Sequence, residues 1–522
     1  MFASLPLVQA ERLTERTERR RRAVSDELDK GHRGHWGQFF TPAPVADFLA
    51  SLIMLPAEGH LVVLDPGAGT GSLTAALVAR AIRDHATSAL HCVAFEADAA
   101  LHSSLARTLA DCEQCAARAG VSVTTELRTE DFVEWGSEAA SGTIWAERRA
   151  FGACIMNPPY RKVNNGARER RAVERVGLQI TNLYPAFMGL AAELLEPGGQ
   201  LSTITPRSFA NGPYFRPFRE FFLERMALDR LHVYEKRGAL FADVDVLQEN
   251  VVLRAVRDGE RQRITLSVST ASADEPSVRV VPYTEVVTPA DPQLFIHIPV
   301  DEGATQVAER MTTMPSSLAQ LGVEVSTGRV VDFRTRENLL DSPVSGSAPL
   351  IYPSHLKDGA VVWPRLEGRR PNALAINDAT RDRLLPAGDY TLVKRFTAKE
   401  ERRRVVATPF SAKDVDSDVV AFENHLNVFH RAGAGIGREL AIGLAIYLNS
   451  SIVDEYVRQF SGHTQINATD LRLLRYPTCA ELVALGEEVL QKGWPDDQDA
   501  VDALASLHVA SLGRQSPEAL AA

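Results

Sequence analysis

The stretch Leu61-Val62-Val63-Leu64-Asp65-Pro66-Gly67-Ala68-Gly69-Thr70-Gly71-Ser72 constrains the fold of this chain most. It is a buried-strand run that enters a glycine loop and leads into a helix-like stretch over 73–82. A strand, a glycine turn and a helix start make a nucleotide-type βα turn, in which bare backbone lets a ligand approach the helix N-terminus. Ser72 stands at the sixth loop position and an acid, Asp65, precedes the glycines, so the loop departs from the dinucleotide fingerprint and favours S-adenosylmethionine over NAD. Gly67, Gly69 and Gly71 let backbone approach the ligand, while Asp65 is placed either to orient the loop or to meet a methionine ammonium.

The same βα rhythm continues. From Val45 to about Arg254, strand-like runs centred on Val62, Val93 and Ile155, and others over 121–127, 201–205, 231–234 and 251–256, alternate with helix-like stretches. This pattern predicts a doubly wound, Rossmann-like α/β sheet. From about Asp258 the composition turns polar with short β-type runs, and after about Val307 the rhythm is lost. The predicted organisation is an N-terminal helical segment over 1–44, a catalytic domain over 45–257, a connector over 258–306, a mixed α+β recognition domain over 307–485 and a helical tail over 486–522.

Asn157-Pro158-Pro159-Tyr160 follows the apolar run Phe151-Gly152-Ala153-Cys154-Ile155-Met156. By itself it could be a rigid strand-to-loop turn fixed by two prolines. It also supplies what methylation of a planar amine needs. The lone pair of an exocyclic amine such as adenine N6 is delocalised into its ring. If the Asn157 side-chain oxygen and the Pro158 carbonyl each accept an N–H, density returns to the nitrogen and it can attack a methyl sulfonium. Tyr160 then offers a stacking face for the base. Upstream, His91-Cys92-Val93-Ala94-Phe95-Glu96 ends in a carboxylate suited to ribose hydroxyls. Asp131-Phe132 is placed to bind the adenine amine of the cofactor and cover its ring.

With these motifs in this order, the chain resembles the amino-type DNA methyltransferases that make N6-methyladenine in restriction-modification systems, of the type II kind with cofactor motifs before the Asn-Pro-Pro-Tyr motif. The resemblance covers most of the chain. It includes Gly37-Gln38-Phe39-Phe40-Thr41-Pro42, which resembles the family's motif closing over the methionine part of the cofactor and implies that Phe39 and Thr41 are pocket residues. It extends through Asn182-Leu183-Tyr184-Pro185-Ala186-Phe187, Pro197-Gly198-Gly199, Thr205-Pro206-Arg207-Ser208-Phe209-Ala210-Asn211-Gly212, Val246-Leu247-Gln248-Glu249-Asn250 and Ser461-Gly462-His463-Thr464-Gln465-Ile466-Asn467. It implies S-adenosylmethionine as cofactor, double-stranded DNA as partner, base flipping, direct transfer without a covalent enzyme intermediate, and Phe209 packing on the flipped base opposite Tyr160. The implied role is protection of host DNA beside a cognate endonuclease, in a bacterial cytoplasm.

At 522 residues, with 45% apolar and 24% charged residues, the chain is long enough for two or three domains with a large core. It has no run of about eighteen apolar residues and no signal-peptide pattern, so no membrane partner is expected. Five cysteines suggest reduced thiols. Cys112 and Cys115 lack a matching second pair, so no metal is expected. The net charge of −10 runs against phosphate binding, but basic residues cluster at Arg19-Arg20-Arg21-Arg22, Arg161-Lys162, Arg168 to Arg171, Lys394-Arg395 and Arg402-Arg403-Arg404. A positive cleft on an acidic body is therefore expected, with Arg161 and Lys162 beside the catalytic motif as phosphate contacts.

A recognition domain must read base edges, for which Asn, Gln, His and Arg are suited. Tyr352-Pro353-Ser354-His355-Leu356-Lys357, Glu423-Asn424-His425-Leu426-Asn427 and the residues Lys394, Arg395, His463, Gln465 and Asn467 are the candidates. Satisfaction of buried amides is the alternative role for several of them. Competing functions are methylation of RNA or of a protein amide, a methylase fused to a nuclease or needing a partner subunit, and a noncatalytic DNA-binding protein with a methylase fold.

Overall fold

The computed structural model describes residues 5–142, 150–234, 249–269, 276–299, 301–397, 401–461 and 464–513. The chain divides into two compact units, Met1–Val300 and Asp301–Ala522.

The first unit is built on one sheet. Its strands are β1 (His60–Pro66), β2 (Ala89–Phe95), β3 (Val123–Arg128), β4 (Phe151–Met156), β5 (Leu195–Pro206), β6 (Met226–Tyr234), β7 (Asn250–Arg257), β8 (Arg263–Ser269) and β9 (Ser277–Pro282). They lie in the order β3-β2-β1-β4-β5-β7-β6-β8-β9. β3, β2, β1, β4 and β5 run parallel, and β7 enters antiparallel between β5 and β6. Val63, Leu64, Cys154, Ile155 and Met156 of the central strands are buried, because helices cover both faces of a parallel sheet. The predicted doubly wound α/β sheet is the one observed. The polar stretch after Asp258 adds β8 and β9 to this sheet, β8 pairing parallel with β6.

The helices are α1 (Leu5–Glu27), α2 (Lys30–Trp36), α3 (Ala43–Ser51), α4 (Ser72–Arg83), α5 (His102–Ala119), α6 (Phe132–Ser141), α7 (Arg168–Glu174), α8 (Leu183–Leu194) and α9 (Arg216–Arg225). From β1 the chain passes through α4 to β2 on one side, and later reaches β4 on the other. The strand order therefore reverses at β1/β4, where open α/β sheets hold ligands. α8 carries buried side chains on every side, which fits a layer enclosed in the core. α1 lies on α4 and α5, with Arg16 and Arg20 paired to Asp111 at 2.9 and 2.7 Å. Arg21 is buried against Glu18, which Arg22 shares. Three residues of the basic run 19–22 are thus engaged in ion pairs within the fold.

The second unit is mixed α+β, as expected. Glu324–Thr327, Leu426–His430, Tyr390–Lys394 and Ala407–Phe410 form an antiparallel sheet. Leu339–Leu340, Ala373–Ala375, Ser347–Ile351, Val419–Phe422 and Leu385–Pro386 form a second, mixed one. Helices Arg438–Leu448 and Cys479–Lys492 pack closely through Gly443 and Gly486. Arg404, from the last basic run, is buried, donating to the Thr397 carbonyl and to Ser461 Oγ, both at 2.7 Å. Among the described residues no single helix is long and apolar enough to cross a membrane.

Candidate active site

The loop between β1 and α4 turns on three glycines in the left-handed region, Gly67, Gly69 and Gly71, with φ of 71°, 60° and 83°. A side chain there would be strained, and at Gly71 a Cβ would lie 2.9 Å from Leu105 Cδ1. The loop is held by the end of β2: Ala68 N donates to the Phe95 carbonyl and Gly69 N to Glu96 Oε2, each at 2.8 Å. The second Glu96 oxygen accepts from Asp98 N at 2.8 Å, and burial raises the Glu96 carboxyl above its ordinary value. Asp65 lies beneath the loop and does not line the cleft. Its Oδ2 accepts from Thr74 Oγ1 at 2.6 Å and Thr74 N at 3.3 Å, while its Oδ1 is buried with no hydrogen-bond partner among the described residues. Burial pushes this carboxyl up to about 7. Of the two roles open to Asp65, this placement is that of orienting the loop against α4.

Beside the loop lies a cleft open to solvent, walled by 36–40, Gly67, Gly69, 95–97, 130–133, Asn157, Pro159, Arg161, Leu183 and Phe187. Asp131 caps α6, its Oδ1 accepting from Val133 N at 2.8 Å, and Phe132 packs on Phe95 and Phe187 at 5.5 and 5.1 Å. Gln38 and His32 both bond Asp98 Oδ2, at 3.0 and 2.7 Å, joining the segment before α3 to the loop that carries Glu96. Burial acts to raise the Asp98 carboxyl, but these bonds outweigh it and hold the group below its ordinary value.

Asn157 follows β4 directly. Its Nδ2 donates to the Phe39 carbonyl at 2.8 Å and to Thr41 Oγ1 at 3.0 Å, and its Oδ1 accepts from the Tyr160 hydroxyl at 2.8 Å. Both amide hydrogens are therefore engaged, and one of the two oxygen lone pairs is left for another donor. Pro158 is buried and Pro159 faces the cleft. Tyr160 is 6% exposed, its ring 5.0 Å from Phe39 and edge-on to Tyr184. Burial keeps its phenol far above the ordinary range, and hence protonated as a donor. Thr41 differs from the expectation that it lines the pocket: it is buried behind the wall, with its hydroxyl on Asn157. Phe209 also departs from its expected place against a flipped base. It is 1% exposed, edge-on to Phe218, because the turn at Arg207–Ala210 sends its ring into the core. Arg161 lines the cleft paired to Glu169, and Lys162 is exposed.

A curated relative, the type II methyltransferase M.PstI of Providencia stuartii, is 40% identical over 472 residues, covering 90% of this chain and 92% of its own. This chain belongs to the type II restriction-modification methyltransferases. The type II methyltransferase M.BsuBI of Bacillus subtilis is 38% identical over 88% of this chain and 91% of its own, and the Eco57I restriction-modification methylase family matches residues 90–241. In fold, this methyltransferase is similar to the type IIL restriction-modification enzyme MmeI in complex with DNA, at a TM-score of 0.52 and 11% identity, over 88% of this chain and 71% of that one.

In the second unit of this methyltransferase, several recognition candidates meet. Arg395 Nη1 donates to the Asn424 carbonyl at 3.3 Å and Nη2 to Gln465 Oε1 at 3.4 Å, while Phe396 packs on His425 at 4.8 Å. Lys394 ends the neighbouring strand, paired with Leu426. Others are consumed by the fold. Asn427 is fully buried, donating to the Ile466 carbonyl, and His355 Nδ1 accepts from Tyr352 N. Asn467 begins a helix, its N–H donating to Asp470 Oδ2 at 2.7 Å. His463 and 246–248 lie outside the described residues. Leu183 and Phe187 were not singled out as cleft residues. They stand four apart on α8, a spacing that in sequence is indistinguishable from core packing.

Proposed function

We propose that this methyltransferase transfers a methyl group from S-adenosylmethionine to N6 of an adenine turned out of duplex DNA, as the modification enzyme of a restriction-modification pair. The observation that carries the reading is the Asn157 amide. Its nitrogen is satisfied by Phe39 and Thr41, so it presents an oxygen with a lone pair to spare beside the cleft. With the Pro158 carbonyl, Asn157 Oδ1 accepts the two N–H groups of a planar amine and returns electron density to its nitrogen.

The cleft fits the cofactor. Its wall carries the acids Glu96, Glu130 and Asp131, and among the described residues its cation is Arg161, paired with Glu169; this balance favours a ligand bearing sulfonium and ammonium charges. When bound, S-adenosylmethionine supplies an activated methyl group. Gly67 and Gly69 would give bare backbone to it, Glu96 would accept from the ribose hydroxyls, and Asp131 with Phe132 and Phe39 would hold the adenosine and methionine parts. Base flipping is the expected entry route, because N6 of a stacked adenine cannot reach an acceptor in the wall of a cleft.

The test is the class of substrate. Purified protein with methyl-labelled S-adenosylmethionine is offered unmethylated duplex DNA, structured RNA and glutamine-containing peptide. Label is expected in the duplex alone. Label in RNA or peptide with none in DNA would overturn the reading.

A further inference from the structure

We propose that Thr41 is a positioning residue for methyl transfer: the Phe39 carbonyl sets which way round the Asn157 amide sits, and the Thr41 hydroxyl accepts the second amide hydrogen and holds the amide in that place. This rests on the reading that Asn157 Oδ1 polarises the amine.

A primary amide can turn by 180° about its last bond with little change of shape, and only the turn that places oxygen toward the substrate is productive. The Phe39 carbonyl settles the turn here, and Thr41 and Tyr160, whose hydroxyls can donate or accept, hold the amide in it. The Phe39 carbonyl can only accept and lies 2.8 Å from Nδ2, so the flipped amide would set oxygen against oxygen. Thr41 Oγ1 takes the second hydrogen at 3.0 Å, and the Tyr160 hydroxyl donates to Oδ1 at 2.8 Å. Thr41 is 5% exposed and stands behind the cleft wall, so its hydroxyl touches the amide and not the cofactor space. Its backbone is set by the segment around it. The Gly37 carbonyl accepts from Tyr160 N at 3.1 Å, and a Cβ on Gly37, at φ of 68°, would lie 2.9 Å from Arg161 N. Pro42 then leads into α3. The segment 37–41 thus walls the cleft with Gly37 to Phe40 and holds the catalytic amide with Phe39 and Thr41.

Thr41→Val keeps the shape and removes the acceptor, leaving one buried amide hydrogen unsatisfied. The resulting loss of alignment is expected to lower kcat on the order of tenfold, the scale of an orphaned buried donor. The dissociation constant for S-adenosylmethionine should stay within about twofold of wild type, since the residue does not face the cleft. Thr41→Ser, which restores only the hydroxyl, should recover most of kcat. If Thr41→Val does not fold, Thr41→Ala against Thr41→Ser gives the same comparison. Wild-type kcat in the valine or alanine variant, with Asn157→Ala inactive, overturns the proposal and leaves the function standing. A matching loss of cofactor affinity also overturns it, in favour of direct cofactor contact. An active Asn157→Ala variant removes the reading beneath it, and the proposal with it.

Discussion

Asn157→Ala is expected to bind S-adenosylmethionine as wild type does and to lose methyl transfer by about 10²–10³-fold, the scale on which removal of one preorganised electrostatic group slows an enzyme. Of the groups assigned to the cofactor, the loop at Gly67 and Gly69, Glu96 and Asp131 are held by bonds between backbone N–H and carboxylate that do not involve Asn157, and Phe39 meets Asn157 through its backbone carbonyl. The amide itself makes three bonds, to Phe39, Thr41 and Tyr160, and the alanine removes all three and leaves a small void. Asn157→Asp is not conservative in this setting, because a carboxylate would face the Phe39 carbonyl, acceptor against acceptor. Calorimetric titration with cofactor and single-turnover methylation together check the prediction. Turnover near wild type would remove Asn157 from the chemistry.

The largest effect on stability is expected where helices Arg438–Leu448 and Cys479–Lys492 meet. A Cβ on Gly443 would lie 1.8 Å from the Leu482 carbonyl oxygen, and one on Gly486 would lie 1.9 Å from that of Glu439. In an exposed helix, Gly→Ala gains about 1 kcal/mol. At these positions the sign reverses, since the obstacle is backbone and cannot swing aside. Gly443→Ala is expected to destabilise the second unit by about 3 kcal/mol, the upper range of overpacking, and Gly443→Leu by more. The urea unfolding transition of the full chain measures it, and a midpoint at or above wild type would contradict the close crossing.

The sheet and the order of its motifs were legible because buried parallel strands read as unbroken apolar runs and because glycines with positive φ mark the turn after β1. That Asn157, Glu96 and Asp131 gather at one cleft was legible for the same reason, each standing just past the end of a strand. What sequence could not show were partners chosen by the fold. Thr41 and Asn157 are 116 positions apart, and Arg20 and Asp111 are 91 apart. Nothing local tells a threonine that holds a catalytic amide from one that faces a cofactor, or a paired arginine from one awaiting a phosphate. Phe209 illustrates the limit. Its motif is recognisable, yet the direction of its ring is set by the 3₁₀ turn and by Arg219, which donates to its carbonyl at 2.8 Å. The short β-type runs after Asp258 were visible too, but their place in the first sheet depends on β8 finding β6.

The central claim is that this site methylates the exocyclic nitrogen of adenine in DNA, and identification of the methylated nucleoside tests it most directly. Unmethylated genomic DNA incubated with the protein and S-adenosylmethionine is digested to nucleosides and resolved by mass spectrometry. The account predicts N6-methyldeoxyadenosine, absent when Asn157→Ala replaces the wild type. Methylation on cytosine instead, at N4 or C5, would contradict it.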